Sequence, residues 1–231
     1  MISRWGFALS VTAPSVFDKA FSAFLFDMDG TIINSIAAAE RVWGAWARRH
    51  GLDVETFLPT MHGARGVDTI RRLGLPGVDP EREAEEIAIA EIADVEGIVP
   101  LPGAIAFLAS LPPAKWAIVT SSPIELAKRR LAAAGIPLPR TLVTAEDVKV
   151  GKPNPACYIL GAERLGARPQ DCLVFEDVAA GILAGEGAGA DVMVMTATHT
   201  HPIETGHTTI STYEYLEART DGNGSLRLVR K

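Results

Sequence analysis

Phe24-Leu25-Phe26-Asp27-Met28-Asp29-Gly30-Thr31 decides how the chain is read. An apolar run is followed at once by two carboxylates two residues apart, then by glycine and threonine. The pattern predicts a buried strand that ends at the surface in a pair of acids. Alternate side chains of a strand share a face, so Asp27 and Asp29 are expected to point into one pocket. Gly30 allows a sharp turn there. Two close carboxylates repel, which calls for a cation beside them. A calcium loop would need further oxygen ligands in the residues that follow and a closing glutamate. Thr31-Ile32-Ile33-Asn34-Ser35-Ile36 is mostly apolar instead. Acids placed directly after an apolar strand favour a catalytic magnesium site.

A chain of 231 residues, 48% hydrophobic, suffices for one large domain or a domain with an insertion. A formal charge of −6 argues against a general grip on nucleic acid, without excluding a local basic pocket. The two cysteines, Cys157 and Cys172, form neither a disulfide framework nor a zinc spacing, so a reduced, cytoplasmic setting is expected. No apolar run approaches the ~20 residues that span a bilayer. No heptad pattern is present, so a monomer or weak dimer is expected. Residues 1–21 read as a leader, flexible or loosely docked. Arg4 followed by Trp5 to Val11 mimics a very short signal peptide, but Pro14 spoils the cleavage site.

Beyond the acidic turn the pattern is helical. Ser35 to His50 is a helix that Ser35 caps and Gly51 ends. Leu52 to Pro59 is a short helix or loop, and Val67 to Leu73 and Pro80 to Val95 are further helices. With no convincing strand among them, residues 35–101 read as an inserted helical domain. After Pro102, apolar strands alternate with helices. The predicted strands are Lys115–Thr120, Thr141–Thr144, Cys172–Phe175 and a final Asp191–Met195. Alternation of this kind implies a parallel sheet covered on both faces. The fold class is therefore α/β: a Rossmann-like doubly wound parallel sheet core, residues 22–34 and 102–231, carrying an inserted α-helical cap domain. Functional groups of such sheets gather at the carboxyl ends of strands. Those ends supply Asp27 and Asp29, Thr120 and Ser121, and Glu176 and Asp177, with Lys152 in a nearby loop. In the tail, His199, His201 and His207 suit a surface loop better than zinc, with His199 able to reach the site's rim. Residues after about Thr220 read as a frayed end or an edge strand, Leu226 to Val229.

Four signatures in order carry a family resemblance over residues 22–196: Asp27-Met28-Asp29-Gly30-Thr31, Thr120-Ser121, Lys152 in Gly151-Lys152-Pro153, and Phe175-Glu176-Asp177 with Gly181. The chain resembles the haloacid dehalogenase superfamily, in the branch with a helical cap after the first strand. The resemblance implies that Asp27 is a nucleophile forming an aspartyl phosphate and that Asp29 is the general acid and base. It further implies magnesium held by Asp27, the main-chain carbonyl of Asp29, and Asp177, with Glu176 as a ligand or a support. Lys152 would offset phosphoryl charge, and Thr120 and the Ser121 amide would donate to phosphoryl oxygens, beside Ser122.

Each group also has a plain structural reading. Thr120 to Ser122 could begin a helix, Lys152 could be an exposed loop charge, and Glu176-Asp177 could be helix-start acids. These weaken only because all of them would have to share one sheet edge by accident.

The cap would choose the leaving group. Met61 to Ile70, with His62 and Arg65, resembles the cap segment of 2-deoxyglucose-6-phosphate and glycerol-3-phosphate phosphatases, although Gly66 stands where those have threonine. Candidate substrate-binding residues are Ser121, Ser122, Arg65, His62 and Glu40. Trp43 reads as core, and Asp68 and Glu40 also suit fold-supporting charges. The expected partner is a small phosphate monoester, not nucleic acid or membrane. A mutase resembling beta-phosphoglucomutase would use the same two aspartates, but it carries a histidine near Ala39 and a lysine after Ser122, where this chain has Ala39 and Pro123. A dehalogenase would not need Asp29 as an acid, and a non-catalytic module would not need the full set of charges.

Overall fold

In the computed structural model, which describes residues 15–201 and 204–231, β1 (Ala23–Phe26) leads through a turn to β2 (Ile33–Asn34). Four helices follow: α1 (Ile36–Arg49), α2 (Val54–Phe57), α3 (Gly66–Leu73) and α4 (Pro80–Ala93). The chain returns through β3 (Val99–Pro100) and then alternates: α5 (Ala104–Ser110), β4 (Trp116–Val119), α6 (Ile124–Ala133), β5 (Leu142–Val143), α7 (Ala156–Arg164), β6 (Cys172–Glu176), α8 (Ala179–Gly187) and β7 (Asp191–Met195). β8 (Thr208–Ile210), β9 (Leu216–Thr220) and β10 (Leu226–Arg230) complete it.

The main sheet runs β5-β4-β1-β6-β7-β8 with every neighbour parallel. Every residue of β1, β4 and β6 is buried, as continuous apolar runs require when helices cover both faces. The two-residue period divides β1 between two layers. Phe24 and Phe26 join Phe107, Trp116, Phe175 and Tyr213 on one face, and the Phe26 and Phe175 rings stack at 4.5 Å. Ala23 and Leu25 join Val119, Tyr158 and Val174 on the other.

Helices α1 to α4 have a hydrophobic cluster of their own, built on Trp43, Trp46, Phe57, Met61, Ile70 and Ile87. Their ends follow local chemistry: Asp53 caps α2, Asp79 with Pro80 starts α4, and Gly74 in the left-handed region ends α3. The two connections to the sheet run side by side as the antiparallel β2–β3 pair. The sequence showed no strand at these joints, because a two-residue ladder has no periodicity to detect.

Two other expectations change. Ser35 precedes α1 but does not cap it; its hydroxyl donates instead to Asp29 Oδ1 at 2.6 Å. Met195 does not end the sheet, since β8 adds a parallel strand beyond β7. Of the two readings of the tail the strand holds: Leu226–Arg230 is β10, which forms a hairpin with β9, and Leu226 and Leu228 are fully buried. Leu226 also exchanges backbone hydrogen bonds with Phe21 at 2.8 and 2.7 Å. Phe21 and Val16 are themselves core residues, so ordered packing begins upstream of residue 22, inside the expected leader. The signal-peptide-like stretch lies outside the described residues. Among the described residues, no helix is long and apolar enough to cross a membrane.

Leu228→Ala should lower unfolding free energy by about 3 kcal/mol, the usual cost of emptying a buried leucine site. Urea denaturation measures it, and a change under 1 kcal/mol would show the hairpin to be dispensable.

Candidate active site

The central strands β4, β1 and β6 end side by side, and each delivers a polar group just past its last apolar residue. Asp27 follows β1, Thr120 follows β4, and Glu176 closes β6 with Asp177 next. The ladder continues one step beyond the strands, with the Asp27 amide donating to Phe175 O and the Thr120 amide to Val143 O, both at 2.9 Å. Such bonding fixes where the side chains start.

The strand stops at Phe26, however, and the backbone then folds over itself. Met28 O accepts from the Ile32 and Ile33 amides at 3.0 and 3.1 Å. Strand alternation therefore does not apply; Asp27 and Asp29 line one cavity as expected, but their carboxylates go to different partners. Gly30, at φ +87°, makes the turn possible; a Cβ there would sit 1.9 Å from Asp177 Oδ2.

Asp27 belongs to a dry cluster centred on Lys152. The ammonium donates to Asp27 Oδ1 at 2.5 Å, Glu176 Oε1 at 2.6 Å and Val119 O at 3.3 Å. Its side chain is 2% exposed. Burial alone would depress this amine, but Asp27 and Glu176 outweigh it and hold its pKa above the ordinary lysine value. Glu176 is locked from all sides. Oε1 also accepts from Tyr158 at 2.7 Å, and Oε2 from the Asp177 amide at 3.0 Å. The α8 backbone presses on it as well, since a Cβ on Gly181 would fall 1.6 Å from Oε1. The geometry makes Glu176 a brace for Lys152.

One ammonium does not balance three acids. Burial pushes the Asp27 carboxyl up to about 7, opposed by Lys152 and reinforced by Glu176. Burial, then Glu176 and Asp27, raises Asp177 well above the usual carboxylate range. Oxygens of Asp27, Glu176 and Asp177 lie within 4.8 Å of one another. Hard, crowded and under-neutralised oxygens are the donor set a small divalent cation fits. Of the four expected metal residues, the structure brings these three carboxylates together, and Asp29 contributes no side-chain oxygen to the group.

The Asp29 carboxylate is held on the other side of the site. Oδ1 accepts from Ser35 Oγ at 2.6 Å and Arg130 at 2.9 Å, and Oδ2 from Ser122 Oγ at 3.1 Å. Arg130, 5% exposed, also donates to Glu91 of α4 at 2.7 Å. A chain Asp29–Arg130–Glu91, buried at Arg130 and Glu91, thus joins the sheet edge to the helical segment. Sequence reading missed both Arg130 and Glu91. A signal existed: Arg130 lies four residues after Leu126, and Glu91 four after Ile87, so each charge falls on its helix's buried face.

The remaining candidates divide. Ser121 Oγ donates to Gly63 O at 2.9 Å, a second link to the helical segment. Thr120 Oγ1 accepts the Ser122 amide at 3.0 Å, which leaves its own proton free to donate. His62 and Glu40 both line the cavity, 3.5 Å apart. Arg65, expected to bind substrate, lines the cavity, with bonds to Asp68 at 2.6 and 3.0 Å and to the carbonyls of Val148 and Lys149 at 2.9 and 3.0 Å that leave one N–H of its guanidinium over. It acts as a third strap across the cleft. His199 reaches the rim as expected and donates from Nε2 to Asp177 O at 2.7 Å, while His207 pairs with Glu186. Trp43 is buried in the helical core.

Comparison with known proteins places the chain in a family. The model of the haloacid dehalogenase-like hydrolases matches residues 21–189. Hexitol phosphatase A of Escherichia coli is 46% identical over 178 residues, 75% of this chain and 82% of that protein. Glycerol-1-phosphate phosphohydrolase 2 of Saccharomyces cerevisiae is 34% identical over 188 residues, 77% of this chain and 75% of that protein. Among solved structures, beta-phosphoglucomutase from Clostridium difficile matches with a TM-score of 0.67 and 25% identity, covering 76% of this chain and 84% of that one.

Arg130→Met should destabilise the fold by about 3 kcal/mol, because it leaves Glu91 buried without a partner. Adding Glu91→Leu should recover part of that loss in a double-mutant cycle followed by urea unfolding. Strictly additive losses would show that the two side chains are not coupled.

Proposed function

The chain belongs to the haloacid dehalogenase-like hydrolases, and on that footing we propose that it is a magnesium-dependent phosphatase acting on monophosphate esters of small sugars and polyols. The observation that carries the reading is the division of labour between two aspartates. Asp27 sits in the Lys152 cluster beside Asp177, while Asp29 is oriented separately by Ser35, Ser122 and Arg130. The names of the relatives support the choice of leaving group.

In the first step an Asp27 oxygen attacks phosphorus in line. The bond from phosphorus to the ester oxygen breaks as the new one forms, and Asp29 gives its proton to the departing alcohol. In the second step water attacks the same phosphorus, Asp29 takes its proton, and Asp27 leaves as a carboxylate with release of inorganic phosphate. Lys152 offsets charge at Asp27 and the phosphoryl oxygens, and Thr120 and the Ser121 amide donate to those oxygens. Asp27, Asp177 and the main-chain carbonyl of Asp29 would hold magnesium, which when bound supplies charge neutralisation at the nucleophile and the phosphoryl group.

We further read residues 35–101 as a cap that covers the leaving group, in a monomer or weak dimer. A reduced, cytoplasmic setting accords with the free, buried Cys157 and Cys172. The mutase reading draws on the solved beta-phosphoglucomutase, but Ala39 and Pro123 put neither histidine nor lysine where the mutase pattern has them.

Wild-type enzyme with magnesium should release phosphate from hexitol and glycerol monophosphates. Asp27→Asn should abolish turnover, by 10³-fold or more on the scale of lost covalent catalysis, while unfolding normally. Substantial residual turnover in that variant would exclude the covalent route, and isomerised sugar phosphate without free phosphate would favour the mutase. A strong chelator should remove activity and magnesium restore it. Because the Asp27 carboxyl is raised to about 7, protons compete with the cation below that pH. The magnesium-induced rise in Tm should therefore shrink from pH 8 to pH 6; an unchanged or growing rise would contradict cation binding at these carboxylates.

A further inference from the structure

The cavity between the sheet edge and the helices encloses about 890 Å³. That lies near the top of the ordinary range for small-molecule sites, roughly 300–1,000 Å³. Size therefore leaves room for a sugar carrying a second phosphate. Charge does not. The arginines of the wall are Arg65 and Arg130, and no lysine lines it among the described residues. Arg65 is paired with Asp68, and its other contacts are backbone carbonyls. Arg130 lies between Asp29 and Glu91; its Nε has no partner, yet the trio as a whole carries two acids to one base.

The same wall carries Glu40, Glu85 and Glu146, none paired with lysine or arginine among the described residues. Glu146 accepts the Ile124 amide, and His62, 3.5 Å from Glu40, can at most neutralise it. His199 faces the Asp177 carbonyl, and His201 stands exposed at the rim.

We propose that the leaving-group chamber selects by charge: uncharged or cationic leaving groups enter, so monophosphates of polyols and amino sugars are hydrolysed, whereas sugar bisphosphates and phosphorylated sugar acids are rejected. The proposal rests on the phosphatase reading and deepens it. A second phosphate or a carboxylate would give up its hydration without gaining an ammonium or an unpaired guanidinium, and would face three acids. Hydroxyls lose little in the same place, since carboxylates accept from them and histidines accept or donate. An amine gains a carboxylate partner.

The test compares kcat/KM for phosphate release on one six-carbon frame: a hexitol 6-phosphate, a hexosamine 6-phosphate, a hexose 1,6-bisphosphate and a 6-phosphorylated sugar acid. Wild type is expected to favour the first two over the last two by about tenfold or more, the scale of one uncompensated like charge. The Glu40→Gln/Glu85→Gln double variant, altered at two positions that are not buried, should narrow that ratio several-fold. Turnover of the bisphosphate or the acid within threefold of the hexitol ester would overturn the proposal, and so would a ratio unmoved in the variant. Failure to release phosphate from any of the four would instead bring down the phosphatase reading itself.

Discussion

A buried ammonium held between two buried carboxylates is the constraint on which the rest of this molecule depends. Lys152 is almost fully removed from water, and an unpaired charge there would be prohibitive. The pairing with Asp27 and Glu176 is possible only where the ends of β1, β4 and β6 meet, because Val119 O and Tyr158 complete the hydrogen bonds of the group. Sheet register, the close approach of α8 at Gly181, and the loop that carries Lys152 are thereby tied to one point. Buried ion pairs are poor evidence of stability, since desolvation offsets most of the attraction. Their presence here fits a chemical purpose, and the negative charge left over in the cluster is what a divalent cation would neutralise.

The helical segment is joined to that point by three polar straps. Ser121 donates to Gly63, Arg65 to the carbonyls of Val148 and Lys149, and Arg130 to Asp29 and Glu91. Each strap is a directional contact across a cleft lined elsewhere by side chains with room between them. The contacts between segment and sheet therefore share residues with the site: the serine next to Thr120 touches the helical segment, and the arginine bonded to Asp29 reaches into it. A site that must admit its substrate is better served by directional contacts of this kind than by a continuous apolar seam. The separate core around Trp43 and Trp46 lets the segment hold its shape independently of the sheet's packing.

Much of this was legible from the chain. Fully apolar runs followed at once by acids, hydroxyls or glycine marked the strands and their functional ends, because a strand covered on both faces has no reason to alternate and a catalytic edge has every reason to be polar. What escaped the reading lay where local pattern carries little information. Two-residue β2 and β3 have no period, β8 is polar and short, and Ser35 looked like a cap because serine before a helix usually is one. Arg65 looked like a substrate ligand from the resemblance of its segment; it does line the cavity, and only coordinates could show it also bonded to Asp68 and, across the cleft, to two carbonyls.

The sequence by itself determined the core strands, the inserted helices and the candidate reacting groups: the first two follow from hydrophobic period and turn chemistry, the last from a handful of residue types in an order that resembles a known family. Tertiary structure alone decided the partners. It sent Asp27 to Lys152 and Asp29 to Arg130, made Glu176 a brace, and balanced the cavity's arginines with acids from distant segments. The reason is physical: local pattern reports whether a side chain is buried, whereas charge compensation is settled between residues far apart in the chain, at distances that exist only after folding.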